Sequence, residues 1–176
     1  DLSDDCTVEK VDALITRARA LPVPVAALCL WPNFVAQAQK GLKGSGILLA
    51  TVVNFPGGGE DVEKVCAETR QALVDGADEI DLVLPWRAIL DGRMEDAAHM
   101  VRAVRREIQD KAHLKVILET GELKSDAAIR AASHLALNEG ADFLKTSTGK
   151  TPISATPEAA RILLEEIKAS GKDIGF

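Results

Sequence analysis

The chain has 176 residues, enough for one domain with a substantial apolar core. Its formal net charge is −6, and its lysines and arginines are scattered among the acids rather than gathered in a stripe. That pattern argues against a nucleic-acid or membrane partner, and no apolar run approaches the ~20 residues of a membrane-spanning helix.

Cys6, Cys29 and Cys66 are odd in number, far apart and without a CxxC pair, so reduced thiols and a cytoplasmic location are expected. His99, His113 and His134 do not cluster with them, and no metal is expected. The chain opens at Asp1 rather than Met and carries no signal peptide, so an incomplete N-terminus is expected.

In chain order, the first predicted element is a helix over Val8–Ala20, with apolar residues at 8, 11, 14, 15 and 18. Short β-rich runs follow at Val25–Leu30 and Ile47–Val53. "NFPGGGED" then invites a phosphate-loop reading. Glu60 and Asp61 would repel a phosphate, however, and suit the N-terminus of a helix over Asp61–Asp75. A third strand, Glu79–Leu84, precedes a helix over Met94–Lys111. Leu114–Leu118 is a fourth strand, ending in "ETGEL", read as a turn in which Glu119 is placed to pair with Lys115. Ser125–Glu139 reads as a helix with a serine cap and Gly140 as its stop. Phe143–Thr146 is a fifth strand. Thr156–Ser170 opens on Thr-Pro and stops at Gly171, and Ile174–Phe176 is the stub of another strand.

Strands alternating with helices imply right-handed crossovers and a parallel sheet. Gly76-Ala77-Asp78 and Gly140-Ala141-Asp142 echo each other just before a strand, where a βα repeat would place them. No GxGxxG follows the first strand, which disfavours a dinucleotide-binding sheet. Within the strands, Ile80, Leu82 and Leu84 share one face, while Glu79, Asp81 and Val83 share the other. Lys115 likewise opposes Leu114, Val116 and Leu118. The aliphatic faces should meet helices and the charged faces should point into an α/β, (β/α)8 barrel. A complete barrel needs about 250 residues. This one is therefore read as incomplete, with about five strands and the start of another, in a single domain over residues 1–176.

Asp81, Lys115 and Lys145 thus fall on the inner face of three successive strands. One reading is a buried ion-pair network with no reaction. The other is an amine nucleophile: Lys145 attacks a carbonyl when neutral, the Lys115 cation lowers its pKa, and Asp81 moves protons. Ser147-Thr148-Gly149-Lys150 adds hydroxyls, a flexible backbone N–H and a cation, which suit a phosphate. Cys29 ends a strand and is read chiefly as a buried, inert thiol; Trp31 and Trp86 are read as packing.

With "ADEIDLVLPWRAIL", "LKVILETGEL" and "ADFLKTSTGK" on successive strands, the chain resembles the deoxyribose-phosphate aldolase family from Asp1 to Phe176. The resemblance implies a lyase: a class I, Schiff-base aldolase of deoxyribonucleotide catabolism, on a TIM barrel, with no metal and no cofactor. Its substrates would be small molecules, a sugar phosphate and aldehydes, and it admits a homodimer. Residue by residue, Lys145 matches the Schiff-base lysine and Asp81 the relay aspartate. Lys115 matches a lysine near the reacting centre, and Cys29 a cysteine near the pocket, open to modification by aldehydes. Thr146 and Thr148 fall in the substrate-facing loop, with Gly149 and Lys150 in the phosphate site. The family continues past "GF" with a second lysine, which depresses the nucleophile's pKa, and with a further phosphate loop. This chain stops before both, and it is expected to be the core of a longer protein. Two alternatives remain: a silent barrel that only binds sugar phosphates or a partner chain, and a lysine aldolase with another phosphorylated acceptor.

Overall fold

Four helices start where a side chain can cap them. Thr7 accepts the Lys10 N–H ahead of α1 (Val8–Arg19), and Asp61 accepts the Lys64 N–H ahead of α3 (Val62–Asp75). Ser125 caps α7 (Asp126–Asn138), and Thr156 caps α8 (Pro157–Ser170), whose first residue is the expected proline. Each cap satisfies a backbone donor that the helix leaves free, a contribution of about 1 kcal/mol. The computed structural model describes residues 1–176.

The strands are β1 (Ala27–Leu30), β2 (Leu48–Val53), β3 (Glu79–Val83), β4 (His113–Ile117) and β5 (Phe143–Lys145). All pair in parallel, and their order in the sheet is their order in the chain. A doubly wound sheet reverses its order part-way. A sequential order with right-handed crossovers puts every helix on one side and curls the sheet into an arc of a (β/α)8 barrel. A parallel bridge between Phe143 and Gly175 begins the next strand beside β5.

The two faces of the arc divide as the alternation predicts. Leu28, Leu30, Leu49, Ile80, Leu82, Leu114, Val116 and Leu144 join the helices in one 40-residue core cluster. Ala50, Val52, Val83 and Ile117 are buried but lie outside that cluster, on the face that carries the charges. No helix is long and apolar enough to cross a membrane.

Three short helices were not foreseen. α2 (Val35–Leu42) follows a 3₁₀ turn over Pro32–Phe34, α4 (Trp86–Leu90) covers five residues, and "ETGEL" forms α6 (Thr120–Leu123) rather than a simple turn. Gly41 weakens the helical signal of α2 and lets it pack closely on α1, since a Cβ would meet Ile15 Cδ1 at 3.0 Å. α5 (Met94–Ile108) stops before Lys111 because Gln109 takes a positive φ of 50°.

The Gly-Ala-Asp echo is a repeated structural device. Gly76 and Gly140 adopt φ of 97° and 91°, and the following alanine N–H closes each helix at 3.0 Å. Each aspartate then clamps the preceding strand. Asp78 accepts the Leu49 N–H at 2.8 Å, and Asp142 accepts the Leu114 N–H at 2.7 Å. The aspartate N–H of each returns a 2.8 Å bond to the same residue's carbonyl. Arg105 also binds Asp142, at 2.7 Å. Asp142→Ala leaves the buried Leu114 N–H without its acceptor, and should destabilise the fold by about 1–3 kcal/mol in urea unfolding. A loss under about 0.5 kcal/mol, the range of an ordinary surface substitution, would refute the clamp.

Candidate active site

The inner face of the arc gathers Cys29 from β1, Glu79 and Asp81 from β3, Lys115 from β4 and Lys145 from β5. Their pairing follows from register. Lys115 lies level with Asp81, and Lys145 lies level with Ile117, hence with Val83. Each lysine reaches two residues back along β3 to a carboxylate. Lys145 Nζ lies 2.5 Å from Asp81 Oδ2, and Lys115 Nζ lies 2.5 Å from Glu79 Oε2. The Lys115 ammonium also sits 5.1 Å from the centroid of the Phe143 ring. The expected pairing of Glu119 with Lys115 does not occur. Glu119 adopts a left-handed backbone, φ 56°, which takes its side chain off the inner face.

The two pairs differ in exposure. Asp81 is 1% exposed and Glu79 5%, while Lys145 keeps 36% of its side chain open. Asp81 Oδ1 is buried and has no protein donor. Burial pushes the Lys145 ammonium down, but the Asp81 charge and hydrogen bond, with smaller help from Cys29 and Glu79, lift it above the ordinary lysine value. Lys115, expected to depress this amine, is itself paired with Glu79. Cys29 Sγ lies 3.8 Å from Asp81 Oδ2, and burial followed by the Asp81 charge pushes its thiol up to about 12. A thiol held neutral is a poor nucleophile, so this arrangement does not favour aldehyde attack at Cys29.

The loop after β5 begins with Thr146, whose carbonyl accepts the Thr120 N–H at 2.9 Å. Thr148 does not face the lysines. Its hydroxyl donates to Glu119 Oε2 at 2.6 Å. Gly149 takes φ 76° in open space, and Lys150 Nζ pairs with the exposed Asp4 at 2.8 Å, 5.8 Å from the Trp31 ring centroid. In "NFPGGGED", Asp61 does cap α3, but Glu60 is taken by the Arg93 fork at 2.5 and 2.8 Å. Trp31 packs edge-on against Phe55, and Trp86 is stacked under the Arg87 guanidinium at 3.9 Å.

Two residues escaped the sequence reading as site members. Glu79 was visible through its two-residue spacing from Asp81, but its partner depends on the sheet's stagger. Glu119 was noticed but given the wrong partner, because a left-handed glutamate is not readable from "ETGEL". A cavity of about 660 Å³ lies elsewhere, around the N-terminal ends of β2, β4 and neighbouring turns, at the end of the barrel opposite the Lys145 loop. No group of three or more His, Cys, Asp and Glu side chains converges as a metal site.

A lysine nucleophile candidate paired with a buried aspartate on a barrel arc invites comparison with known aldolases. The model of the DeoC/LacD family aldolase matches residues 2–174. The chain belongs to this family. A deoxyribose-phosphate aldolase of Agrobacterium fabrum is 51% identical over 177 aligned residues, covering 100% of this chain and 68% of the relative. A Coccidioides immitis structure provisionally assigned to deoxyribose-phosphate aldolase superposes with a TM-score of 0.93 at 29% identity, over 99% of this chain and 67% of its own. The deoxyribose phosphate aldolase of Aeropyrum pernix, described as having a unique tetrameric structure, gives 0.82 at 28% identity, over 96% and 70%. The chain spans about two thirds of the length of these relatives.

Proposed function

We propose that the protein is a class I aldolase that reversibly cleaves 2-deoxy-D-ribose 5-phosphate to acetaldehyde and D-glyceraldehyde 3-phosphate. The observation that carries this reading is the contact of 2.5 Å between Lys145 Nζ and the buried Asp81 carboxylate. In the synthetic direction, Asp81 takes a proton from the Lys145 ammonium. The neutral amine adds to the acetaldehyde carbonyl to give a carbinolamine. Asp81 returns the proton to the departing oxygen, which leaves as water, and an iminium forms. Loss of a proton from the methyl carbon gives the enamine. That carbon bonds to the aldehyde carbon of glyceraldehyde 3-phosphate, whose oxygen takes up a proton. Water then hydrolyses the iminium and frees Lys145.

The resting pair favours the ammonium, so catalysis needs a cation that weakens it. The Phe143–Gly175 bridge supports a source. Continued for two residues, its register brings the position after Phe176 level with Lys145, where the family resemblance puts the second lysine. The phosphate of the sugar falls to Gly149 and Lys150. The Lys150–Asp4 pair is largely at the surface, with Asp4 90% exposed, and such a pair yields readily to a phosphate dianion. Lys115 and Cys29 then shape the pocket rather than react. We read residues 1–176 as one part of an aldolase domain, cytoplasmic and homodimeric, the last measurable by light scattering.

The test is turnover. The intact protein should release acetaldehyde from 2-deoxyribose 5-phosphate, detected by a coupled dehydrogenase. Binding of the sugar phosphate without acetaldehyde release would select the silent-barrel alternative. Turnover only with another phosphorylated acceptor would select the second aldolase.

A further inference from the structure

Glu119 is fully buried, and both inner-face lysines are taken by other carboxylates. A buried carboxylate needs hydrogen bonds in place of water. Every donor that reaches it comes from the loop after β5. The Thr148 N–H approaches Oε1 and Oε2 at 3.3 and 3.4 Å, the Thr148 hydroxyl donates to Oε2 at 2.6 Å, and the Thr151 hydroxyl shares its proton between Oε1 at 3.2 Å and the Ile153 carbonyl at 3.1 Å.

The backbone around Glu119 is arranged for this reach. Leu118 N–H donates to the Lys145 carbonyl at 3.0 Å, and Thr120 N–H to the Thr146 carbonyl at 2.9 Å, so the two chains stay aligned on both sides of Glu119. Between them Glu119 is left-handed, at φ 56° and ψ 58°, a conformation that non-glycine residues keep only where the surroundings enforce it. That turn carries the carboxylate from the lysine face to the loop. The far end of the loop is seated just as closely: a Cβ on Gly121 would collide with the Ile153 carbonyl oxygen.

The hydrogen bonds also have a fixed polarity. The Thr148 hydroxyl gives its proton to Glu119 Oε2 and uses a lone pair to accept the Lys150 N–H, at 3.0 Å. This chain turns the Lys150 amide inward and leaves Gly149 at the exposed tip of the turn.

We propose that Glu119 is a positioning residue for phosphate recognition, acting through Thr148 and Thr151 to hold residues 148–151 in the shape that presents Gly149 and Lys150 to the ligand. The inference rests on the aldolase reading, which assigns the phosphate to that loop. Glu119 does not touch substrate and takes no part in the chemistry at Lys145.

The test is Glu119→Gln in the intact protein. Glutamine keeps the size but replaces one acceptor oxygen with a donor, so a single oxygen is left to accept from the Thr148 and Thr151 donors. KM for 2-deoxyribose 5-phosphate should rise about tenfold with kcat within about twofold, the split expected of lost ground-state and transition-state binding alike. The Kd of inorganic phosphate, measured by calorimetry, should rise by a similar factor of about ten. Trapping of acetaldehyde on Lys145 should stay within about twofold, because that step involves no phosphate. Equal losses with phosphorylated and unphosphorylated deoxyribose, or an unchanged phosphate Kd, would overturn the proposal. If Glu119→Gln fails to fold, Thr151→Val removes one donor and leaves the carboxylate, and should raise both KM and the phosphate Kd about threefold. A native protein that turns over no deoxyribose 5-phosphate defeats the aldolase reading, while the phosphate Kd of the variants still decides the role of Glu119.

Discussion

Lys145→Ala should lower turnover of 2-deoxyribose 5-phosphate by at least about 10⁴-fold, the scale seen when a covalent nucleophile is removed. The structure gives a reason to expect no substitute. The other inner-face amine, Lys115, is locked on Glu79 at 2.5 Å, with 16% of its side chain exposed against 36% for Lys145. It is both less accessible and differently aimed. The loop after β5, to which the proposal assigns the phosphate, is held by Glu119, hydroxyl and backbone contacts that do not involve Lys145 Nζ. The variant should therefore bind inorganic phosphate with a Kd near that of the native protein. Loss of phosphate binding together with activity would mean that Lys145 is structural. Retention of more than about 1% of the turnover would mean that another group carries the reaction.

Asp81→Asn should have the second largest effect, about 10²- to 10⁴-fold on turnover, the usual contribution of a positioned general acid–base group. Its pH dependence is the sharper readout. Burial alone would lower the Lys145 pKa, and Asp81 is what raises it above the ordinary lysine value. Asparagine removes the charge, the larger of the two raising influences, while its amide oxygen can still accept from Nζ, so the folded-state pKa of Lys145 must fall. The amine attacks only when neutral, so capture of acetaldehyde should extend to lower pH in the variant even as turnover collapses. A profile that stays in place, or moves to higher pH, would contradict the assignment of Asp81 as the group that holds the proton.

Much of this was legible in the strands. Alternation in Glu79–Val83 and His113–Ile117 separated the aliphatic face from the charged one, and the core cluster follows that division. The Gly-Ala-Asp echo marked a real repeat because the glycine and the aspartate each do something local: a left-handed helix stop and a clamp one strand back. Who pairs with whom was not legible. The lysines select Asp81 and Glu79 through the register of β3, β4 and β5 together, and register is a property of the assembled sheet. Glu119 was misplaced for a different reason. Strand alternation ends at Ile117, and a left-handed residue two positions later reverses the face that counting assigns. α2 and α4 were missed because each is short and draws its stability from packing, not from propensity.

The central claim is that Lys145 forms an imine with an aldehyde. The direct measurement is borohydride reduction of the folded intact protein in acetaldehyde, followed by peptide mass mapping. The account predicts a reduced two-carbon adduct on Lys145 and on no other inner-face lysine, with labelling abolished in Lys145→Ala. An unlabelled Lys145, or an adduct carried by Lys115 instead, would contradict it.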